Sequence, residues 1–165
     1  MKKHALVFSA VSLAGVVLDL LTKTWVLAAV PHHGERVLIS GWLSFGHAYN
    51  EGTIWSFGPG AKVLWLILSV LAVPLIVGFF ALRKTPTWVG TICLGMILAG
   101  AAGNGFDRIV YGAVRDFIMA YYTRADGTRA IWPLFNLADS FIVVGAILLA
   151  LVPSPPAAAR SEAKA

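Results

Sequence analysis

Four stretches of this chain are long and apolar enough to cross a lipid bilayer, and they constrain the fold more than any motif does. They cover residues 5–30, 63–82, 88–106 and 133–152 of a 165-residue sequence. A helical span needs about 20 mostly apolar residues, so four of them leave room for a single compact domain, residues 1–152. Composition agrees: 58% of the residues are hydrophobic and only 13% are charged, about half the charge of a soluble domain. The expectation is an all-α polytopic membrane protein with four transmembrane helices. The tail from residue 153 to 165, "PSPPAAARSEAKA", reads as disordered.

The formal net charge of +5 does not point to nucleic acid. Lys2, Lys3, Arg83, Lys84, Arg160 and Lys164 all fall just outside spans, which is the pattern of positive-inside anchors. The outer loops carry Arg and Lys too, but Glu35, Glu51, Asp107, Asp116 and Asp126 bring their net charge near zero. Both termini are therefore expected in the cytoplasm. The start "MKKHALVFSAVSLAG" has the build of a signal peptide, yet its apolar run continues past Gly15 and carries Asp19 and Lys23, so it reads as an uncleaved first span. The lone Cys93 lies inside the third span as a packing residue and excludes a disulfide framework.

Two long loops then face outward, residues 31–62 and 107–132. "RVLISGWLSF" in the first is β-branched and aromatic, broken by Gly41 and Gly46, and reads as short strands or a strand plus an interfacial segment. Trp42, Phe45, Trp55 and Phe57 read as anchors at headgroup level. "TRADGTRA" in the second is turn-rich and reads as a mobile excursion.

Ionisable residues inside spans are costly and need partners. Asp19 and Lys23 are four apart on one helix face and read as a structural ion pair. In "AGNGFDR", Asn104, Asp107 and Arg108 share a face at the end of span three. Their spacing fits a buried Asp–Arg pair or a polar rim that grips a peptide backbone, and leaves both open. Asp116 follows in "VRDFI", just beyond that span. Asp139 lies six residues past Pro133, which suits a first helical position, so it is expected roughly 9 Å below the helix start. Spans three and four meet outside, and Asp19 sits about 21 Å along span one, so every intramembrane carboxylate converges on one layer.

Two carboxylates that share a proton can divide acid and base roles in hydrolysis. Nothing resembles HExxH, GxSG or a P-loop. His32, His33 and His47 fall in one wet outer loop, and no metal site is expected from them. A small proton-coupled transporter is the alternative, but it would favour short loops and an acid near the midplane. A membrane scaffold would leave the convergent aspartates unexplained.

Across most of its length the chain resembles the lipoprotein signal peptidases, or signal peptidase II. "DLLTK" (19–23) is similar to the family's D-x-x-T-K, and "YNEGTIWSF" to its N-x-G block through Asn50 and Gly52. "GAAGNGFDRI" with "VRDFI" is similar to G-N-x-x-D-R and V-x-D-F, and "FNLADS" to F-N-x-A-D-S. The resemblance implies that Asp116 and Asp139 are the catalytic pair, that Asn104 and Arg108 line the peptide site, and that Asn50, Gly52, Asp107 and Asn136 support it. It also implies a small periplasmic β-cradle, an interfacial helix from the first outer loop, and no cofactor. The implied substrate is a bacterial prolipoprotein, cleaved on the N-terminal side of its diacylglyceryl-modified cysteine at the outer face of the inner membrane by a monomeric enzyme. The chain departs from the family in carrying Thr53, Ile54 and Trp55 after Gly52, and in a longer segment between Asp116 and Trp132.

Overall fold

The computed structural model describes residues 1–31, 34–52, 61–83 and 86–151. Trp55, Phe57, the Thr53–Ile54–Trp55 departure, the expected interfacial helix, His32, His33 and the expected disordered tail lie outside the described residues.

Among the described residues, four helices and four strands follow one another as α1 (Lys2–Ala29), β1 (Arg36–Ile39), β2 (Leu43–Asn50), α2 (Ala61–Ala81), α3 (Trp88–Tyr111), β3 (Val114–Thr123), β4 (Arg129–Ile131) and α4 (Leu137–Leu151). By length and hydropathy α1, α2 and α3 can each cross a membrane, whereas α4 is a shorter apolar helix. The expected first two spans match α1 and α2 to within two or three residues. Helix α3 runs five residues past the expected end at Phe106, because Asp107 is not the edge of the apolar layer but is fully buried and paired.

Helix α3 is the centre of the bundle. Thr87 caps its start, Oγ1 accepting from Gly90 N at 3.1 Å, and Gly112 ends it in the left-handed region at φ 70°. Its small residues let neighbours approach closely, as between membrane helices. A Cβ on Gly100 would collide with the Ala138 carbonyl and Ile142 of α4. One on Gly103 would meet the Asp19 carboxylate of α1. Cys93 is buried in the same helix, where a Cβ on Gly145 of α4 would reach its carbonyl at 2.9 Å. The outer faces of α1 and α2 carry exposed Leu, Val and Ile side chains, among them Leu6, Leu13, Leu71 and Leu75, as a lipid-facing surface requires.

The strands form one antiparallel sheet in the order β1-β2-β3-β4. Strands in the first loop were expected; β3 and β4 were not, and β3 is the longest strand at 10 residues. The "TRADGTRA" segment is the tip of the β3–β4 hairpin. Arg124 N donates to Thr128 O at 2.8 Å, and both the backbone and hydroxyl of Thr128 donate to Asp126 Oδ1. Where β4 leaves that turn, Arg129 pairs with Glu35, the residue before β1, at 2.8 Å. Trp42 is exposed, whereas Phe45 packs edge-on between Trp25 and Phe117.

The expected fourth span needs correction at its start. Pro133 does not open the helix. Phe135 exchanges backbone hydrogen bonds with Ile118, at 2.8 and 3.1 Å, so the segment after β4 stays extended beside β3. Helix α4 begins only at Leu137, after Asn136, and Asp139 is its third residue, about 4.5 Å from the cap rather than 9 Å.

Candidate active site

The start of α4 is where the polar residues of the other elements meet. Asn136 Oδ1 accepts from Asp139 N at 2.9 Å, and Asp139 Oδ2 accepts from Asn136 N at 3.2 Å. This is a reciprocal capping box, with aspartate in the place usually held by glutamate. Ala138 N, a third amide of that first turn, donates to Asp19 Oδ1 of α1 at 2.9 Å. A helix N-terminus favours negative charge, and here it gathers two carboxylates.

Asn136 is also the bridge between the two aspartates. Its Nδ2 donates to Asp116 Oδ1 at 2.7 Å and to Asn104 Oδ1 at 3.1 Å. Asn104 Nδ2 in turn donates to Asp139 Oδ1 at 2.7 Å. The second oxygen of Asp116 accepts from Asn50 Nδ2 at 3.0 Å, and Asn50 Oδ1 accepts from Gly52 N at 2.8 Å. Gly52 sits at φ 97°, with the Trp65 indole of α2 where a Cβ would project. Burial, and then the neighbouring Asp139 charge, push the Asp116 carboxyl up to about 7, against the lowering effect of its Asn50 and Asn136 bonds. Asp116 is buried, while Asp139 keeps part of its surface open.

Beneath this pair lies a second, fully charged cluster. Lys23 Nζ contacts Asp19 Oδ2 at 2.7 Å, Asp107 Oδ2 at 3.2 Å and Asn104 Oδ1 at 3.0 Å, with all three charged groups wholly buried. Arg115 grips Asp107 through Nε and Nη2, the latter at 2.8 Å, and stacks over the Tyr111 ring at 4.3 Å. The expected Asp19–Lys23 ion pair is therefore present. Of the two readings left open for Asn104, Asp107 and Arg108, a pair between Asp107 and Arg108 is not formed: Asp107 is held by Lys23 and Arg115, and Arg108 donates to Ser69 of α2 at 2.9 Å. Adjacent residues on a helix diverge by about 100°, so Arg108 turns away towards α2. There it lines a cavity of about 220 Å³ with Asn50, Glu51, Lys62, Val63, Leu66 and Gly112. Its charge remains within electrostatic reach of Asp139 and Asp116.

Arg115 was missed as a site residue. Strand β3 turns neighbouring Arg115 and Asp116 to opposite faces, but burial on both faces left no alternation in the sequence to show it. Ser69 and Trp65 had no sequence signal beyond lying in an apolar helix.

A family model described as signal peptidase (SPase) II matches residues 11–153. A lipoprotein signal peptidase of Xylella fastidiosa is 36% identical over 154 residues, covering 90% of this chain and 89% of that protein. One from Pseudomonas putida is 38% identical over 145 residues, covering 85% and 82%. One from Pseudomonas aeruginosa is 39% identical over 140 residues, covering 82% and 80%. Two solved structures of a bacterial membrane enzyme, obtained by the in meso method, share the fold. Their TM-scores are 0.75 and 0.76 at 24% identity, over 92% of this chain and 87% and 92% of theirs. With a family model spanning nearly all of the sequence and relatives matched along most of their length, this chain belongs to the signal peptidase II family of aspartic peptidases.

Proposed function

We propose that the protein removes signal peptides from diacylglyceryl-modified prolipoproteins, hydrolysing the bond N-terminal to the lipidated cysteine between Asp116 and Asp139. The observation that carries this reading is the bridge: Asn136 donates to both carboxylates, through Nδ2 to Asp116 and through its backbone N–H to Asp139, and the Asp139 charge helps hold Asp116 protonated near neutrality. A pair with one proton between its members can do both halves of the reaction. One carboxylate takes a proton from water and later passes it to the leaving amine, while the protonated partner polarises the scissile carbonyl. No metal or organic cofactor is needed for that chemistry. The transporter alternative is not supported by the family membership.

The rest of the proposal follows from where the pair lies. All four helices span the bacterial inner membrane, residues 1–152 act as one peptidase domain, and both termini are cytoplasmic. The loops carrying the sheet are then periplasmic, and the α4 start lies near that face, where a substrate anchored by its lipid would present its bond. Anchoring and orienting the substrate lowers the entropic barrier. Arg108 and Asn50, on the cavity beside Asp116, would contact the peptide, and the enzyme would act as a monomer.

The test is cleavage of a lipidated precursor in detergent by purified Asp116→Asn and Asp139→Asn. Each should lose at least about a thousandfold in kcat while retaining helical circular dichroism. Near-normal turnover by either folded variant would end the proposal.

A further inference from the structure

The side-chain amides around the two aspartates have fixed orientations, because each is held on one side by a group that can only donate. Gly52 N donates to Asn50 Oδ1, so Asn50 must turn Nδ2 to Asp116. Asp139 N donates to Asn136 Oδ1, so Asn136 turns Nδ2 to Asp116 and Asn104. Lys23 Nζ, with three hydrogens and no lone pair, donates to Asn104 Oδ1, so Asn104 turns Nδ2 to Asp139 Oδ1. All four carboxylate oxygens therefore face donors, but unequally. Asp116 receives two neutral amides. Asp139 receives the backbone N–H of Asn136, the cap of α4, and an amide whose oxygen is polarised by an ammonium group.

We propose that Lys23 is a positioning residue for the reaction: through Asn104 it makes Asp139 the general base and leaves the shared proton on Asp116. The proposal rests on the reading of Asp116 and Asp139 as the catalytic pair. Asp139 then takes a proton from water as the water oxygen bonds to the scissile carbonyl carbon, and Asp116 gives its proton to the carbonyl oxygen. On collapse Asp116 recovers a proton from that hydroxyl, the C–N bond breaks, and the proton on Asp139 leaves with the amine. Both carboxyl groups return to their starting states, and one water has been added.

The charged groups around Asp139 are Asp19 and Lys23 on α1, Asp107 and Arg108 on α3, and Arg115 and Asp116 on β3. Glu51 and Lys62 pair with each other at the cavity edge. Asp19 and Asp107 offset Lys23 and Arg115; the Lys23 charge still lowers the Asp116 pKa, as the smallest of its causes, and its route to Asp139 is the oriented amide.

The experiment is the pH dependence of kcat/KM for Lys23→Met, Asn104→Ala and the double variant, on a lipidated precursor, referred to the folded fraction. Each single change should move the acidic limb upward by about one pH unit. The double variant should move no further than Asn104→Ala, since the lysine acts through the amide. Lys23→Met leaves two buried carboxylates facing one arginine; should it fail to fold, Asn104→Ala, which keeps the four charges intact, decides alone. An acidic limb left in place by Asn104→Ala, with activity merely scaled down, overturns the role of Lys23, as do additive shifts in the double variant. Failure of the underlying reading is distinct: it is turnover by Asp139→Asn.

Discussion

Asp107→Asn separates the charge cluster from the rest of the fold. The replacement keeps the shape and removes one charge from a buried set of two carboxylates, Asp19 and Asp107, and two cations, Lys23 and Arg115. Arg115 would lose its counter-ion and keep one neutral acceptor at position 107, Thr24 Oγ1 at 3.3 Å and the Tyr111 ring, and Lys23 would keep Asp19 and Asn104. Removing one partner from a buried ion pair costs about 3–5 kcal/mol, because the other charge stays buried without its counter-ion. At about 2–4 °C per kcal/mol for a chain of this size, the melting temperature should fall by roughly 6–20 °C. Thermal unfolding in detergent, followed by helical circular dichroism, measures it. Glu51→Gln is the control: its partner Lys62 is 49% exposed and Glu51 59%, and such a pair contributes at most about 1 kcal/mol. Adding Arg115→Met removes the stranded cation, so the double variant should fall short of the additive sum by at least about 1 kcal/mol. A fall under about 2 °C for Asp107→Asn, or strict additivity with Arg115→Met, would refute a coupled charge cluster.

Asp116 keeps its proton up to about 7 instead of the ordinary 3.8, so raising the pH through 7 removes the acid and kcat/KM should decline on the alkaline side; a rate still climbing well above that pH contradicts the assignment. Because its folded value lies above its unfolded one, Asp116 also subtracts from stability as the pH rises from 3.8 to about 7, and no further beyond. Gly52→Ala should cost about 1–2 kcal/mol from the positive φ and the Trp65 ring, and it should lower kcat/KM about tenfold or more by shifting Asn50 off Asp116. Gly100→Val should destabilise by about 1–3 kcal/mol, read as a melting shift, because α4 must move off α3 to clear the Ala138 carbonyl.

The long helices were legible because an apolar run of that length has few alternatives. Their ends were not, because a polar residue can mark either the edge of the lipid or a buried partner. The sequence placed Asp107 and Arg108 at the end of span three and left open whether they pair or form a rim; Asp107 is buried and α3 continues to Tyr111. Strand β3 was hidden because Val114 through Phe117 are buried on both faces, which erases the alternation that reveals a one-sided strand. Pro133 suits a first helical position as readily as an extended segment, and its sequence neighbours gave no reason to choose the second. The three-residue spacing of Asn136 and Asp139 held the better signal, since a capping box places the cap at the asparagine. Motif blocks singled out Asp116 and Asp139, which the structure brings to one hydrogen-bonded network. Arg115 was not legible, since its partner is eight residues away across a helix end.

The structure also explains how a carboxylate pair can sit beside so much buried charge without losing its shared proton. A free cation against either aspartate would favour ionisation of both and remove the acid. Lys23 and Arg115 are the nearest buried cations of the cluster, and each is matched by Asp19 or Asp107, so their net field at Asp116 and Asp139 is small. What reaches the pair is hydrogen bonding from neutral side-chain amides and the Asn136 backbone at the cap of α4, together with the charge of Arg108, and these support one negative charge while burial resists a second. Asparagine suits these positions because its amide has a donating and an accepting end: one end is fixed by Lys23, Gly52 or a helix amide, and the other aims a hydrogen at a carboxylate. Aspartate at any of the three would add charge, and leucine would leave a carboxylate oxygen without its donor. The depth of Asp139 is therefore tolerated because of the fixed orientation of the amides, and a substitution that frees one of them should alter the pH profile before it unfolds the chain.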